Sequence, residues 1–178
     1  MEAIRSRRSI RRYGPTDVPD ALVRELIDAA RHAPSAHNSQ PWAFIVVRDG
    51  ETRERLSRTH RYSRFLRGAP VVIVVLGDER LSPSHLVEDC SAAVENMLIA
   101  ANALGLGACW VAVYSATAAG REEYVRDLLS IPGHMRVIAM VGVGYPGEAP
   151  PPKAVRPLDE ITHLERWRPI GPDSAGKS

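Results

Sequence analysis

The residues best suited to chemistry fall in two short stretches. In 7-RRSIRRY-13, Arg7 and Arg8 bring forked donors beside the hydroxyl of Ser9, a set that can grip a phosphate bidentately. The plain alternative is a basic helix end meeting solvent. In 32-HAPSAHNSQPWAF-44, Pro34 stops an amphipathic helix, and Ser35, Asn38, Ser39 and Gln40 crowd donors and acceptors into one turn before an apolar run. Taken alone, such residues often do no more than satisfy a turn.

Other constellations fail on geometry. His32 and His37 flank Pro34, so one helix cannot present them as a metal-ligating pair. The chain has no Gly-x-Ser-x-Gly elbow and no P-loop. The stretch 142-GVGYPG-147 follows an apolar strand, but Tyr145-Pro146 and the prolines after it oppose the helix that a dinucleotide loop requires. Cys90 and Cys109 lack metal-ligand spacing and suit small core positions in a reducing cytoplasm. No metal is expected.

The elements that must hold these stretches follow from periodicity. Residues 2–8 read as a short helix, and Pro19 to Ala33 as a clearer one with Leu22, Leu26, Ala29, Ala30 and Ala33 on one face. A buried strand spans Ala43 to Val47, and an arginine-rich surface helix spans Glu51 to Thr59. The β-branched run Pro70 to Leu76 predicts a strand covered on both faces. From about Pro83 to Leu104 a long helix carries Val87, Ser91, Val94, Leu98, Ala101 and Leu104 at helical spacing, stopped by Gly105 and Gly107. Its Ser91, Ala92, Ala93, Ala100 and Ala101 allow close approach of another helix. A third strand is expected over Ala108 to Val113, a short helix over Glu122 to Leu129, and a fourth strand over Val137 to Val143. The proline-rich PGEAPPPKAVRPLDE then predicts an extended arm crossing a surface, and GPDSAGKS a disordered tail. The division expected is one domain over 1–168 with a tail over 169–178.

Totals narrow the class. A chain of 178 residues, 44% hydrophobic and 25% charged, is long enough for one sizeable core. Its longest apolar runs, such as 69-APVVIVVLG-77, fall far short of a bilayer span, and no secretory signal is expected at MEAIRSRRSIRRYG. The net charge is +2, carried almost wholly by arginine: Lys153 and Lys177 are the only lysines, and five arginines fall between Arg5 and Arg12. Arginine forks suit an anionic partner, the plain alternative for most of them being a solvated basic face. No zinc-finger spacing, RNP-like strand or long basic helix points to nucleic acid.

RRSIRRY, APSAHNSQPWAF, EDCSAAVENMLIAANALGLGACWVAV and VGVGYPGEAPPPKAVRPLDE, in that order and at these spacings, resemble the FMN-dependent nitroreductase superfamily. The resemblance covers the chain to about Trp167. It implies an α+β fold, a mostly antiparallel central sheet flanked by helices, and an intertwined homodimer with an extended C-terminal arm. Two FMN sites would lie at the dimer interface, each built from both chains. Arg7, Arg8 and Ser9 would hold the phosphate and ribityl chain, joined by Arg156 and Lys153 from the arm. Pro34, Ser35, Ala36 and Asn38 would face the flavin of the partner subunit. Trp110, Ala112 and Val113 would line one face of the ring, with a backbone N–H near N5.

No catalytic side chain is implied, since the flavin carries the redox chemistry. NAD(P)H would reduce it by hydride transfer to N5, and a nitroaromatic or quinone would take the same open face afterwards, giving ping-pong kinetics. Ala36, His37 and Glu95 depart from the family pattern, and Arg61 or Arg64 is a candidate for the pyrimidine edge. Rival readings are enone reduction, dehalogenation, flavin destruction or deazaflavin chemistry on the same fold, and a flavin-binding module without turnover.

Overall fold

The computed structural model describes residues 1–115 and 117–167; the tail expected over 169–178 lies outside them. In chain order the helices are α1 (Glu2–Ser6), α2 (Asp20–Arg31), α3 (Gly50–Leu56), α4 (Leu86–Ala103) and α5 (Ala119–Leu129). The strands are β1 (Trp42–Val47), β2 (Val71–Asp78), β3 (Gly107–Ala112) and β4 (Met135–Gly144). Short 3-10 turns at Ala36–Asn38, Arg64–Gly68 and Leu158–Glu160 were not expected from periodicity, because three to five residues are too few to show one.

The four strands form one sheet in the order β1-β2-β4-β3, and every pair is antiparallel. β2 and β4 are central, which explains their uninterrupted apolar sequences. Along β2 the side chains alternate: Val71, Ile73 and Val75 join the layer of α2 and α4, while Val72, Val74 and Leu76 join that of α3 and α5. The sheet is thus covered on both faces, an α+β arrangement with two cores. Each fully buried Val or Leu contributes about 1.5–3 kcal/mol by leaving water.

α2 and α4 pack together over one face of the sheet. α2 buries Val23, Leu26 and Ala30, followed by Ala33, whereas Leu22 and Ala29 are only partly covered. The stripe expected on α2 is therefore rotated toward Val23. α4 is rotated likewise: its buried face is Leu86, Cys90, Ala93, Val94, Met97, Leu98 and Ala101. Val87 and Leu104 are exposed and Ser91 is half-buried, because the sheet and α2 approach from the Cys90–Met97 side. Asn96 Nδ2 donates to the Ala29 carbonyl across this contact (3.1 Å).

α1 ends at Ser6, so Arg7 to Tyr13 is not helical. This segment runs beside β3, with a parallel bridge between Ser9 and Ala108 and a bond from Ile10 N–H to the Ala108 carbonyl (3.1 Å). Gly107 permits the approach: a Cβ there would lie 2.7 Å from Ile10 Cβ. The half-buried Tyr13 phenol donates to the Ile10 and Gly142 carbonyls (2.7 and 3.0 Å), and desolvation holds its pKa well above the ordinary range. Glu148 completes the clasp by accepting from the N–H groups of Arg11 (2.6 Å) and Arg12 (3.1 Å).

Candidate active site

β3 is an edge strand, and that decides where free backbone donors lie. Val113 N–H donates inward to the Ile138 carbonyl (3.1 Å), whereas the Ala108 carbonyl faces outward to Ile10. The alternation of an antiparallel ladder then turns the N–H and C=O groups of Trp110 and Ala112 away from β4. His60 Nε2 meets the outward Ala112 carbonyl at 3.2 Å. Of the ring-lining residues expected here, Trp110 and Ala112 line an open cleft of about 600 Å3. Val113 does not: its side chain is buried in the α3–α5 core and its N–H is already donated.

The rest of the cleft is basic. Arg11, His60, Arg61, Tyr62, Arg64, Phe65, Cys109, Val111 and Arg121 complete its lining. No carboxylate is in that lining, and among the described residues the guanidinium groups of Arg11, Arg61, Arg64 and Arg121 form no ion pair with one. Arg61 instead stacks on the Tyr62 ring at 4.5 Å. Burial, reinforced by the charge of Arg121, lowers the His60 pKa despite its bond to Ala112. Burial also pushes the Cys109 thiol up, opposed by Arg11, a hydrogen bond with Ser9, and Arg7. Ser9, Arg7 and Arg11 therefore gather around the start of β3.

The expected phosphate residues differ in their freedom. Arg7 Nε stands 3.8 Å from the Glu95 carboxylate on α4, a loose pair. The Arg8 guanidinium donates to the carbonyls of Arg5 and Arg7 (both 2.8 Å) and Pro151 (3.2 Å). It is thus committed to backbone and ties the arginine motif to the arm. Farther along the arm, Arg156 bonds Glu160, through the backbone carbonyl at 2.8 Å and the carboxylate at 3.4 Å. Lys153 is exposed. Within one chain neither Arg156 nor Lys153 is hydrogen-bonded or ion-paired to Arg7, Arg8 or Ser9. The extended path ends at Pro157, because Leu158–Glu160 coils into a 3-10 turn.

The turn after α2 is built differently from a plain solvated loop. His37, Asn38 and Gln40 all have positive φ (54°, 54° and 46°), a region that non-glycine residues rarely occupy. The Ser35 hydroxyl accepts the Gln40 N–H (3.0 Å), and the Ser35 carbonyl accepts the Asn38 N–H (3.0 Å). Ser35 is therefore a scaffold for the turn. The Asp89 carboxylate on α4 accepts the Ala36 N–H at 2.9 Å. Pro34 and Asn38 remain exposed, and Pro34, Ser35 and Ala36 border a shallow groove with His85, Glu88 and Ala92. That groove shares no residue with the Trp110 cleft.

The Nitroreductase family matches this chain over residues 4–60 and 57–145. The chain belongs to the nitroreductase family. A Methanothermobacter thermautotrophicus protein provisionally named NADH dehydrogenase/NAD(P)H nitroreductase is 43% identical over 169 residues, covering 94% of this chain and 87% of its own. An FMN-dependent nitroreductase of Clostridium difficile superposes with a TM-score of 0.85 at 30% identity, over 93% of this chain and 98% of that one. A Desulfovibrio desulfuricans protein solved in complex with FMN superposes with a TM-score of 0.82 at 35% identity, over 94% and 96%. The nitroreductase-like fold expected from the motifs is the observed one.

For a nitroreductase-family site, the most informative residues absent from the sequence expectations are Arg11, His60, Arg121 and Asp89. Arg11 stood inside the arginine motif, but only the parallel bridge to β3 shows that it lines the cleft with Trp110. Arg121 and His60 come from distant loops and helices, and periodicity gives no sign of either. Asp89 gave no signal of its own, because Glu88 and Glu95 stand on the same helix and only the structure shows that Asp89 is the buried one of the three.

Proposed function

We propose that this chain is an FMN-dependent NAD(P)H oxidoreductase, acting as a homodimer on nitroaromatic, quinone or similar small acceptors. One observation carries the reading: the outward N–H groups of Trp110 and Ala112 meet a carboxylate-free ring of arginines in a single open cleft. The residues fit a flavin mononucleotide. Arginine forks suit its phosphate and the anionic pyrimidine edge of its reduced ring, while Trp110 and Phe65 supply apolar wall. When bound, FMN supplies the redox chemistry, taking electrons from NAD(P)H and delivering them to the acceptor at one shared face, hence ping-pong kinetics. The chain orients the ring with backbone N–H donors, stabilises negative charge with Arg11, Arg61 and Arg64, and excludes water beneath Trp110. Arg7 and Ser9 are placed for the phosphate end; Arg8 braces them.

The second subunit enters on three supports. The turn at Pro34 to Asn38 borders a separate groove, so it reaches a flavin only from another copy. Lys153 and Arg156 reach phosphate by the same route. The arm also leaves Val155, Leu158, Leu164 and Trp167 about three-quarters exposed, apolar surface that a partner would cover. A single-domain division near 168 and a cytoplasmic setting belong to the same reading; the two cysteines are unpaired and buried, and among the described residues no helix is long and apolar enough to cross a membrane.

The test is a visible spectrum of purified protein, FMN titration, and anaerobic titration with NADH and NADPH before adding nitrofurazone or menadione. Yellow dimeric protein, bleached by nicotinamide and recoloured by acceptor, is expected. Protein that stays colourless after incubation with FMN refutes the reading. Bound flavin that consumes itself in air points instead to the flavin-destroying chemistry, and flavin that neither nicotinamide reduces to a binding module.

A further inference from the structure

We infer that Asp89 is a positioning residue of the flavin site, acting through the turn that one chain offers to the cofactor of the other. The inference rests on the flavin reading above. Asp89 lies in the first turn of α4 and is buried to 5% exposure. Its Oδ1 accepts the Ala36 N–H at 2.9 Å. Its Oδ2 accepts the buried Ser82 hydroxyl at 2.7 Å and the Ser39 hydroxyl at 3.4 Å. One carboxylate thus fastens both ends of the 3-10 turn Ala36–Asn38 and ties them to the loop preceding α4. Among the described residues no lysine or arginine pairs with it, so its charge is held by these donors and by the N-terminal turn of the helix.

The turn needs such a tether. His37, Asn38 and Gln40 sit in left-handed conformations without being glycine, and a state of this kind persists only where its surroundings over-determine it. Within the turn, Ser35 and Ala36 accept the backbone N–H bonds, and the Gln40 side-chain amide donates to the Asn38 carbonyl at 3.4 Å. Among the described residues, the side-chain bonds that reach residues 35–40 from elsewhere in the chain come from Asp89. Asn38 is exposed on the outer side, where its amide is available to another molecule. Asp89 therefore fixes which way Pro34 to Asn38 face without touching the ligand.

The graded series Asp89→Asn and Asp89→Ala tests this. Asparagine keeps one acceptor oxygen for Ala36 but cannot accept from the serines with its amide nitrogen; alanine keeps nothing. FMN affinity, read by fluorescence quenching on the folded dimer, should weaken at least tenfold in Asp89→Ala and by an intermediate factor in Asp89→Asn. The visible circular dichroism of bound flavin should change in the same order. Amide exchange at residues 35–40 should accelerate while the sheet stays protected. Lower thermal stability with unchanged FMN affinity and unchanged flavin dichroism overturns the assignment. If Asp89→Ala does not fold, Asp89→Asn and Ser82→Ala decide by the same readouts. Wild-type protein that takes up no FMN overturns the flavin reading itself, whereas wild-type binding with unaltered variants overturns the role of Asp89 alone.

Discussion

Substituting Gly107 by alanine should damage the flavin site from behind, without altering any residue of the cleft lining. A Cβ at 107 would lie 2.7 Å from Ile10 Cβ and Cγ2 and 2.9 Å from Cγ1. Ordinary carbon contacts sit at about 3.5–4.0 Å, so Ile10 must retreat by roughly 1 Å. It has little room, being 6% exposed. Its N–H is bonded to the Ala108 carbonyl and its carbonyl accepts the Tyr13 phenol. Overpacking of this kind costs about 1–3 kcal/mol, and at about 2–4 °C per kcal/mol for a chain of this size the melting temperature should fall measurably.

The same retreat moves Ser9 and Arg11 off the edge of β3, so FMN dissociation should quicken as well. Calorimetry of the apoprotein and fluorescence quenching by titrated FMN read the two effects separately. Gly68→Ala is the control, since a Cβ there meets nothing within 4 Å. Adding Ile10→Ala removes two of the three contacts and should restore part of the affinity non-additively. A Gly107→Ala protein as stable and as tightly flavinated as wild type would refute the claim that this packing places the arginine motif.

Three further outcomes are expected. Glu95→Gln removes the carboxylate that stands 3.8 Å from Arg7. A loose, partly exposed pair is worth about 0.2–1 kcal/mol, so FMN should bind up to about fivefold more tightly; equilibrium dialysis showing weaker or unchanged binding would count against Arg7 as a phosphate ligand. Glu148 has its carboxyl held below the ordinary glutamate range, first by the Arg11 N–H, then by the N–H and side chain of Arg12. A depressed folded-state value means this clasp stabilises fully above about pH 4.3 and fades as pH falls through the lower value. Acid unfolding followed by circular dichroism should therefore be less steep in Glu148→Gln; identical acid profiles would dismiss the clasp. Finally, Arg11→Ala should weaken FMN binding by about tenfold or more, as loss of one charge-assisted contact of about 1.5–3 kcal/mol, with the melting temperature of the apoprotein little changed. A large drop in melting temperature with intact FMN affinity would instead make Arg11 structural.

Much of the architecture was written in local pattern. Val71 to Leu76 could only be a strand covered on both faces, since every residue is apolar and most are β-branched. The stops at Pro34, Gly105 and Gly107 bounded α2 and α4 to within a few residues. The rotation of each helix was not legible, because Val23 and Leu22, or Leu86 and Val87, are equally apolar neighbours. Which of each pair is buried depends on the direction from which the sheet and the other helix arrive. The arginine motif was visible as a motif, but its members have different fates. Arg8 is bound to three carbonyls, Arg7 is loosely paired, and Arg11 lines the cleft.

By itself, then, the sequence determined the family resemblance, the order of helices and strands, and the stretches where polar and basic groups accumulate. These are properties of types and spacings along one chain. The tertiary structure alone decided that β3 lies at an edge, which leaves the N–H groups of Trp110 and Ala112 outward and turns Val113 inward. It alone brought His60, Arg61, Arg64 and Arg121 to that edge, and set Asp89 under the turn at Pro34. Hydrogen-bond alternation across a ladder and burial of a distant carboxylate are relations between segments far apart in sequence. No local pattern encodes them.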